Sequence, residues 1–206
     1  SSHSEVLQVR GQPPRTILVE SSSHGPIVGE IPRTHAEAGE ETRYKVALQW
    51  DAVKQHAGSI SAAFAANRAT NCATLLEAFD GYGAPVQNVL AADADGRACF
   101  RVAGWIPRAT ANNGLVPEPG WLNSGAQPSE RLADQEMPQI VDAKAKGLPF
   151  ITNANQQLAG ELGEHLSGEW DRPNRYQRIT TMLLAESKHD RQSFQRIQYD
   201  VRSEEA

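Results

Sequence analysis

The run Ala84–Arg108, APVQNVLAADADGRACFRVAGWIPR, decides how this chain folds. VQNVLAAD and RACFRVAG are two mostly apolar segments flanking an acidic-glycine step. Asp95-Gly96 is a dipeptide suited to positive φ in a two-residue turn, so the run predicts an antiparallel hairpin. Beyond it lie LVPEPGW (Leu115–Trp121) and EMPQIVDAKAKGLPFITNANQQ (Glu136–Gln157). Proline and glycine recur every few residues from about 107 to 149, which predicts a long loop before an Asn-rich strand end. A loop of that length in a compact domain is usually functional.

The chain upstream reads as β and then α. Val6–Arg10 and Thr16–Ser22 run apolar around Gly11, Pro13 and Pro14, as in a hairpin-like pair. Ser23-His24-Gly25-Pro26 breaks the second strand and Ile27–Ile31 resumes it. Residues of about 32 to 43 are polar and are expected to form a mobile loop. YKVALQW (Tyr44–Trp50) alternates, with Tyr44, Val46, Leu48 and Trp50 on one face. Ser59–Ala66 is Ala-rich and helical. In Asn67–Gly83, Thr70 or Asn71 is a candidate N-cap, Leu75, Leu76 and Phe79 form a stripe, and Gly81 or Gly83 ends the helix. At the C-terminal end, Asp171 or Pro173 opens a helix through Glu186, with Ile179, Met182 and Leu183 inward. A second helix spans about Asp190 to Val201, with Phe194, Ile197 and Val201 on one face. Strands, helices, a hairpin and terminal helices make an α+β pattern, read as a single domain over residues 1–206.

Composition narrows the function class. A hydrophobic fraction of 39% and a charged fraction of 22% are those of a soluble globular protein, and no apolar run reaches the length of a membrane span. The net charge of -5 and scattered Lys and Arg residues argue against a nucleic-acid partner. The six histidines form no HxxxH or HxH pair, so no metal cluster is expected. Asp93, Asp95 and Gly96 lack the remaining ligands of a calcium loop and read as a turn. Cys72 and Cys99 have no CxxC spacing and read as buried thiols, with a disulfide between them as the alternative that distances would decide. Ser1 and Ser2 read as a frayed end rather than a nucleophile.

Several of these pieces occur together in one family. EVLQVRG (Glu5–Gly11), the HGP turn (His24–Pro26), the strand ending at Trp50, the NRA helix from Asn67, the AADADG turn, the glycine–proline–arginine set Gly104, Pro107 and Arg108, the PGW loop (Pro119–Trp121) and the segment FITNANQQ follow in order. Over nearly the whole chain this order resembles the β-subunit of the penicillin acylase (penicillin amidase) family of N-terminal-nucleophile hydrolases.

The resemblance implies part of an αββα sandwich of antiparallel strands with C-terminal helices. It also implies an amidohydrolase whose N-terminal serine, released by autoproteolysis of a precursor zymogen, acts with its own α-amino group as base. An Asn side chain on a later strand supplies an oxyanion donor. The matching position is Asn155, with Asn153 as neighbour, while Gln156 departs from the family's second Asn. The family also places an Arg after that Asn, organising the site: Arg172 is favoured, Arg175 comes second, and Arg178 reads as an ordinary helix Arg. Some members bind a structural calcium between subunits; Pro119 and Glu161 or Glu164 are the nearest matches, and no metal or other cofactor is expected in this chain.

The family's nucleophile opens a Ser-Asn-x-Trp segment, and no such segment stands at Ser1. The expectation is therefore an internal β-subunit piece lacking the nucleophile strand and inactive alone. Its partners would be the remaining α- and β-subunit segments and a small-molecule N-acyl amide of penicillin, cephalosporin or acyl-homoserine-lactone type. By the same resemblance the protein is bacterial and periplasmic or secreted. The alternative is a family member that has lost catalysis and serves as a binding or structural domain.

Overall fold

The computed structural model describes residues 1–32, 43–50, 58–107, 115–122, 131–158, 163 and 166–202. They fall into two compact units, residues 1–55 with 116–129 and residues 56–115 with 130–206. The expected mobile loop lies almost wholly outside the described residues, as do Arg108, Glu161 and Glu164.

The first unit holds a four-stranded antiparallel sheet in chain order, β1 (Ser2–Leu7), β2 (Arg15–Ser22), β3 (Gly25–Pro32) and β4 (Arg43–Ala47). The first strand starts earlier than its apolar run suggests. Ser1 donates its amino group to the Ser21 carbonyl at 2.8 Å, and the Ser1 and Ser21 hydroxyls meet at 2.7 Å, so this end is zipped onto β2 rather than frayed. β2 turns into β3 through Ser23 and His24. Gly25 has φ +128°, and a Cβ there would lie 2.2 Å from the Leu48 carbonyl oxygen, so only glycine fits this turn. The expected face of β4 is cut short. The strand ends at Ala47, which leaves Leu48 and Trp50 exposed beyond the ladder.

Motifs distant in sequence meet in this unit. Gly120 of the PGW loop sits against the His24 ring, where an added Cβ would lie 3.2 Å from Nε2. Trp121 of the same loop packs on Tyr44 of β4, ring centroids 5.3 Å apart. The turn, the strand and the loop are one structural feature written in three places.

The second unit is built on β6 (Ala98–Ala103), which lies between β5 (Gln87–Ala92) and β7 (Gln139–Ile140) in an antiparallel sheet. β6 is paired on both edges and buried on both faces, and its near-continuous apolar run follows from that. Phe100 and Val102 point into a cluster with Ile106, Leu132 and Met137. Cys99 and Ala103 face the other way: Ala103 meets Ala62 and Tyr82, and Cys99 meets Cys72 and Leu76. These partners come from α1 (Gly58–Ala66), α2 (Cys72–Ala78) and the residues just after α2. The stretch expected as one long loop thus contributes a strand, β7, and a 3-10 turn at Asp134–Glu136.

One polar residue belongs to this buried strand. Arg101 is 3% exposed and donates to the Leu76 carbonyl at the end of α2, to Asp80 at 2.8 Å and toward Asp134 at 3.5 Å. It fastens the helix and the 3-10 turn to the sheet.

The hairpin differs from expectation in its connection. Asp95-Gly96 is not a two-residue turn. Ala92 pairs with Ala98, leaving a five-residue loop, and only Gly96 takes positive φ, at 78°. Asp93 organises this loop: its Oδ1 accepts from the Arg97 and Asp95 amides at 2.9 and 3.1 Å. Its Oδ2 accepts from the Cys72 amide at 3.2 Å, joining the loop to the start of α2. The Arg97 amide above all holds this carboxyl below the usual carboxylate range. Asn71 is the N-cap of α2, accepting from the Thr74 amide at 2.9 Å.

Two helices close the chain, α3 (Asn174–Leu184) and α4 (Arg191–Gln198). Leu183 is buried as expected, and Asp190 caps α4 through the Ser193 amide at 2.8 Å. The expected apolar face of α4 does not form. The helix stops at Gln198, Phe194 is half-exposed, Val201 is 94% exposed, and the buried residue of α4 is Ser193. The two helices are joined instead by polar contacts, Arg178 Nε to Asp200 at 3.0 Å and the His189 ring to the Leu183 carbonyl at 2.8 Å.

Candidate active site

The Asn-rich segment ends in a turn that an ordinary side chain resists. Asn155 has φ 64° and is the one non-glycine residue with positive φ among the described residues. Asparagine tolerates this left-handed conformation better than most residues because its short amide bonds locally. Here the local bonds come from its neighbours. The Asn153 Oδ1 accepts from the Asn155 amide at 3.2 Å, and the Gln156 Oε1 accepts from the Ala154 amide at 2.8 Å.

The turn is tied to the entry of α3. Gln156 forms a parallel bridge with Asp171, and the Asp171 amide donates to the Asn155 carbonyl at 3.3 Å. This register places the first turn of α3 over the Asn155 turn. From there Arg175 reaches back, its Nη2 lying 2.8 Å from the Ala154 carbonyl, 2.9 Å from Asn155 Oδ1 and 2.6 Å from Asp171 Oδ2.

A guanidinium donates and never accepts. Its contact with Asn155 therefore fixes the amide with the carbonyl oxygen toward Arg175 and the NH₂ away. Asn155 is solvent-exposed, so that NH₂ is a donor set at a fixed orientation on the surface of the unit. A fixed donor of this kind suits a developing oxyanion.

The other residues weighed for this site lie elsewhere. Arg172 is exposed on the residues before α3 and takes no part in the hydrogen bonds around Asn155; the arginine in contact with Asn155 is Arg175. The reason is helical phase: Arg175 falls in the first turn of α3, one turn after Asp171. Arg178 points the other way, to Asp200. Asp171 was not foreseen, although its spacing of four from Arg175 marks a helical ion pair in the sequence. Pro119, considered for its carbonyl, belongs to the first unit.

The fold places the chain among known proteins. It matches the solved structure of a thermostable penicillin G acylase from Alcaligenes faecalis with a TM-score of 0.70 at 17% identity, covering 96% of this chain and 33% of that one. The antiparallel sheets and helices therefore share the fold of that penicillin acylase. The penicillin amidase family model matches residues 1–206, and the chain belongs to that family. It is 29% identical over 202 residues to an acyl-homoserine lactone acylase QuiP of Pseudomonas fluorescens, covering 95% of this chain and 23% of the relative. A penicillin acylase 2 proenzyme of a Pseudomonas species is 26% identical over 182 residues, covering 87% and 22%. The chain thus spans under a quarter of the length of the curated relatives it matches.

Proposed function

We propose that this chain carries the oxyanion-stabilising part of an amidohydrolase that cleaves a linear N-acyl amide, of the acyl-homoserine-lactone or penicillin and cephalosporin type. The nucleophile is an N-terminal serine supplied by a segment outside this chain. Its hydroxyl adds to the amide carbonyl, the amine leaves with a proton from the serine's own amino group, and water releases the acyl group from the ester. Asn155 Nδ2 donates to the oxyanion formed at each addition, and Arg175 holds the amide that does so.

The observation that carries this reading is the Arg175–Asn155 contact, which leaves the NH₂ of an exposed left-handed asparagine as a fixed donor. The names of the relatives support the substrate class, and the short share of their length covered here supports a nucleophile elsewhere. Ser1 is engaged with Ser21 through both its amine and its hydroxyl, which fits a strand position better than a reacting one. The chain alone is then inactive, and the remaining subunit segments are its partners in a periplasmic or secreted enzyme.

The test is hydrolysis of N-acyl-homoserine lactones and penicillin G by the complete gene product, with and without Asn155→Ala. Loss of kcat by about two to three orders of magnitude is expected for removal of an oxyanion donor. A loss under about tenfold overturns the assignment to Asn155.

A further inference from the structure

We propose that Gln156 and Asn153 are positioning residues for Asn155, which they act on through two backbone amides of its turn; this rests on the proposed function above. Gln156 is where the sequence departs from the family pattern, and the structure gives the departure a task. Its extra methylene lets the side chain fold back over the turn, where Oε1 accepts from the Ala154 amide at 2.8 Å. Asn153 reaches forward from the other side of the turn, its Oδ1 accepting from the Asn155 amide at 3.2 Å.

The two contacts have a joint effect. A left-handed asparagine leaves flanking amides that need partners, and an unpaired buried amide is costly. Ala154 is buried, so its amide has no access to bulk water and depends on Gln156. With both amides engaged inside the loop, neither competes with the Asn155 NH₂ for an incoming anion. Arg175 sets the direction of that NH₂, and Gln156 and Asn153 set the backbone from which it projects. Among the described residues the Asn153 Nδ2 is buried with no hydrogen-bond partner, and the side chain's contact with this turn is made by its oxygen end.

The experiment uses the complete gene product and steady-state hydrolysis of phenylacetyl and decanoyl p-nitroanilides. Gln156→Met keeps the shape and removes the acceptor; Gln156→Glu keeps the acceptor. Gln156→Met is expected to lower kcat about tenfold to a hundredfold with KM within about twofold, and Gln156→Glu to stay within about threefold of the parent, because displacing a reacting group by about an ångström carries a loss of that order. Asn153→Leu and Asn153→Asp form a second such pair, which decides the matter should Gln156→Met fail to fold. Parental kcat in both acceptor-free variants, or a rescue variant as slow as its partner, overturns the inference. Should Asn155→Ala abolish turnover while Gln156→Met and Asn153→Leu do not, this inference alone fails. Should Asn155→Ala leave turnover unchanged, the proposed function fails and takes this inference with it.

Discussion

Arg175 Nη2 stands 2.9 Å from Asn155 Oδ1, and this one contact determines which end of the asparagine amide faces outward. Both residues lie at the meeting of a left-handed turn and the first turn of α3. A donor-only group on one side makes the other side of the amide a donor as well.

Asn155→Asp separates that donor from the rest of the residue. The carboxylate keeps an oxygen for Arg175 and tolerates positive φ, yet it has no N–H to give. Turnover in the complete gene product should fall at least as far as for Asn155→Ala, by about a hundredfold or more, with the melting temperature little changed. Steady-state kinetics beside a thermal melt checks both halves.

The two arginines predict opposite outcomes. Arg175→Lys ends a bond short of where Nη2 stands, the one atom that contacts Ala154, Asn155 and Asp171, and so loses these contacts. It should lower kcat by about tenfold or more, since the asparagine is then free to rotate. Arg172→Ala should leave kcat within about twofold, as expected for an exposed side chain without a site contact. Equal losses in the two variants would refute the placement.

Asp93 gives an acid-dependent contribution to stability. Its carboxyl lies below its ordinary value of 3.8, first through the Arg97 amide and against the effect of burial, with the Cys72 amide also lowering it. A carboxyl depressed in the folded state stabilises fully above its unfolded value and loses that contribution as pH falls through the folded one. Asp93→Asn should therefore melt below the parent at neutral pH, and the gap should narrow below pH 3.8. Melting temperatures of both proteins across pH 2 to 7 read the effect.

Arg101 is a test of the second unit's core. Arg101→Met keeps the stem's packing but removes the donor that serves the Leu76 carbonyl and Asp80. The expected loss is about 2–3 kcal/mol, the scale of hydrogen bonds to a charged group. Chemical denaturation of parent and variant measures it.

The thiols should be silent in the folded protein. Burial, followed by the neighbouring Cys72, pushes the Cys99 thiol up to about 12, and both cysteines are almost wholly buried. A thiolate is the reacting form. A disulfide reagent at pH 8 should thus label neither residue until denaturant is added.

Much of this fold is written locally and can be read locally. The order of strands, the Asn71 cap and the start of α4 at Asp190 follow from turn residues, caps and apolar periodicity close to one another in sequence. The hairpin turn was misread because Asp93 recruits an amide from α2, a partner 21 positions away that no dipeptide rule contains. Val201 was misread because the apolar repeat continues past the point where the backbone leaves the helix. At the candidate site, the motif singles out Asn155 in the sequence, whereas nothing local says which arginine stands beside it. Which of three arginines reaches Asn155 depends on the bridge between Gln156 and Asp171, a pairing between distant segments that fixes the phase of α3.

That bridge has a consequence for how such a chain can change over generations. It clamps both ends of the stretch from Gln156 to Asp171, so the pair that matters is set at the clamp and not by the number of residues between. Changes in the length of that interval fall outside the clamp, whereas a single insertion between Asn174 and Arg175, inside α3, rotates the arginine about 100° around the helix and away from its partner.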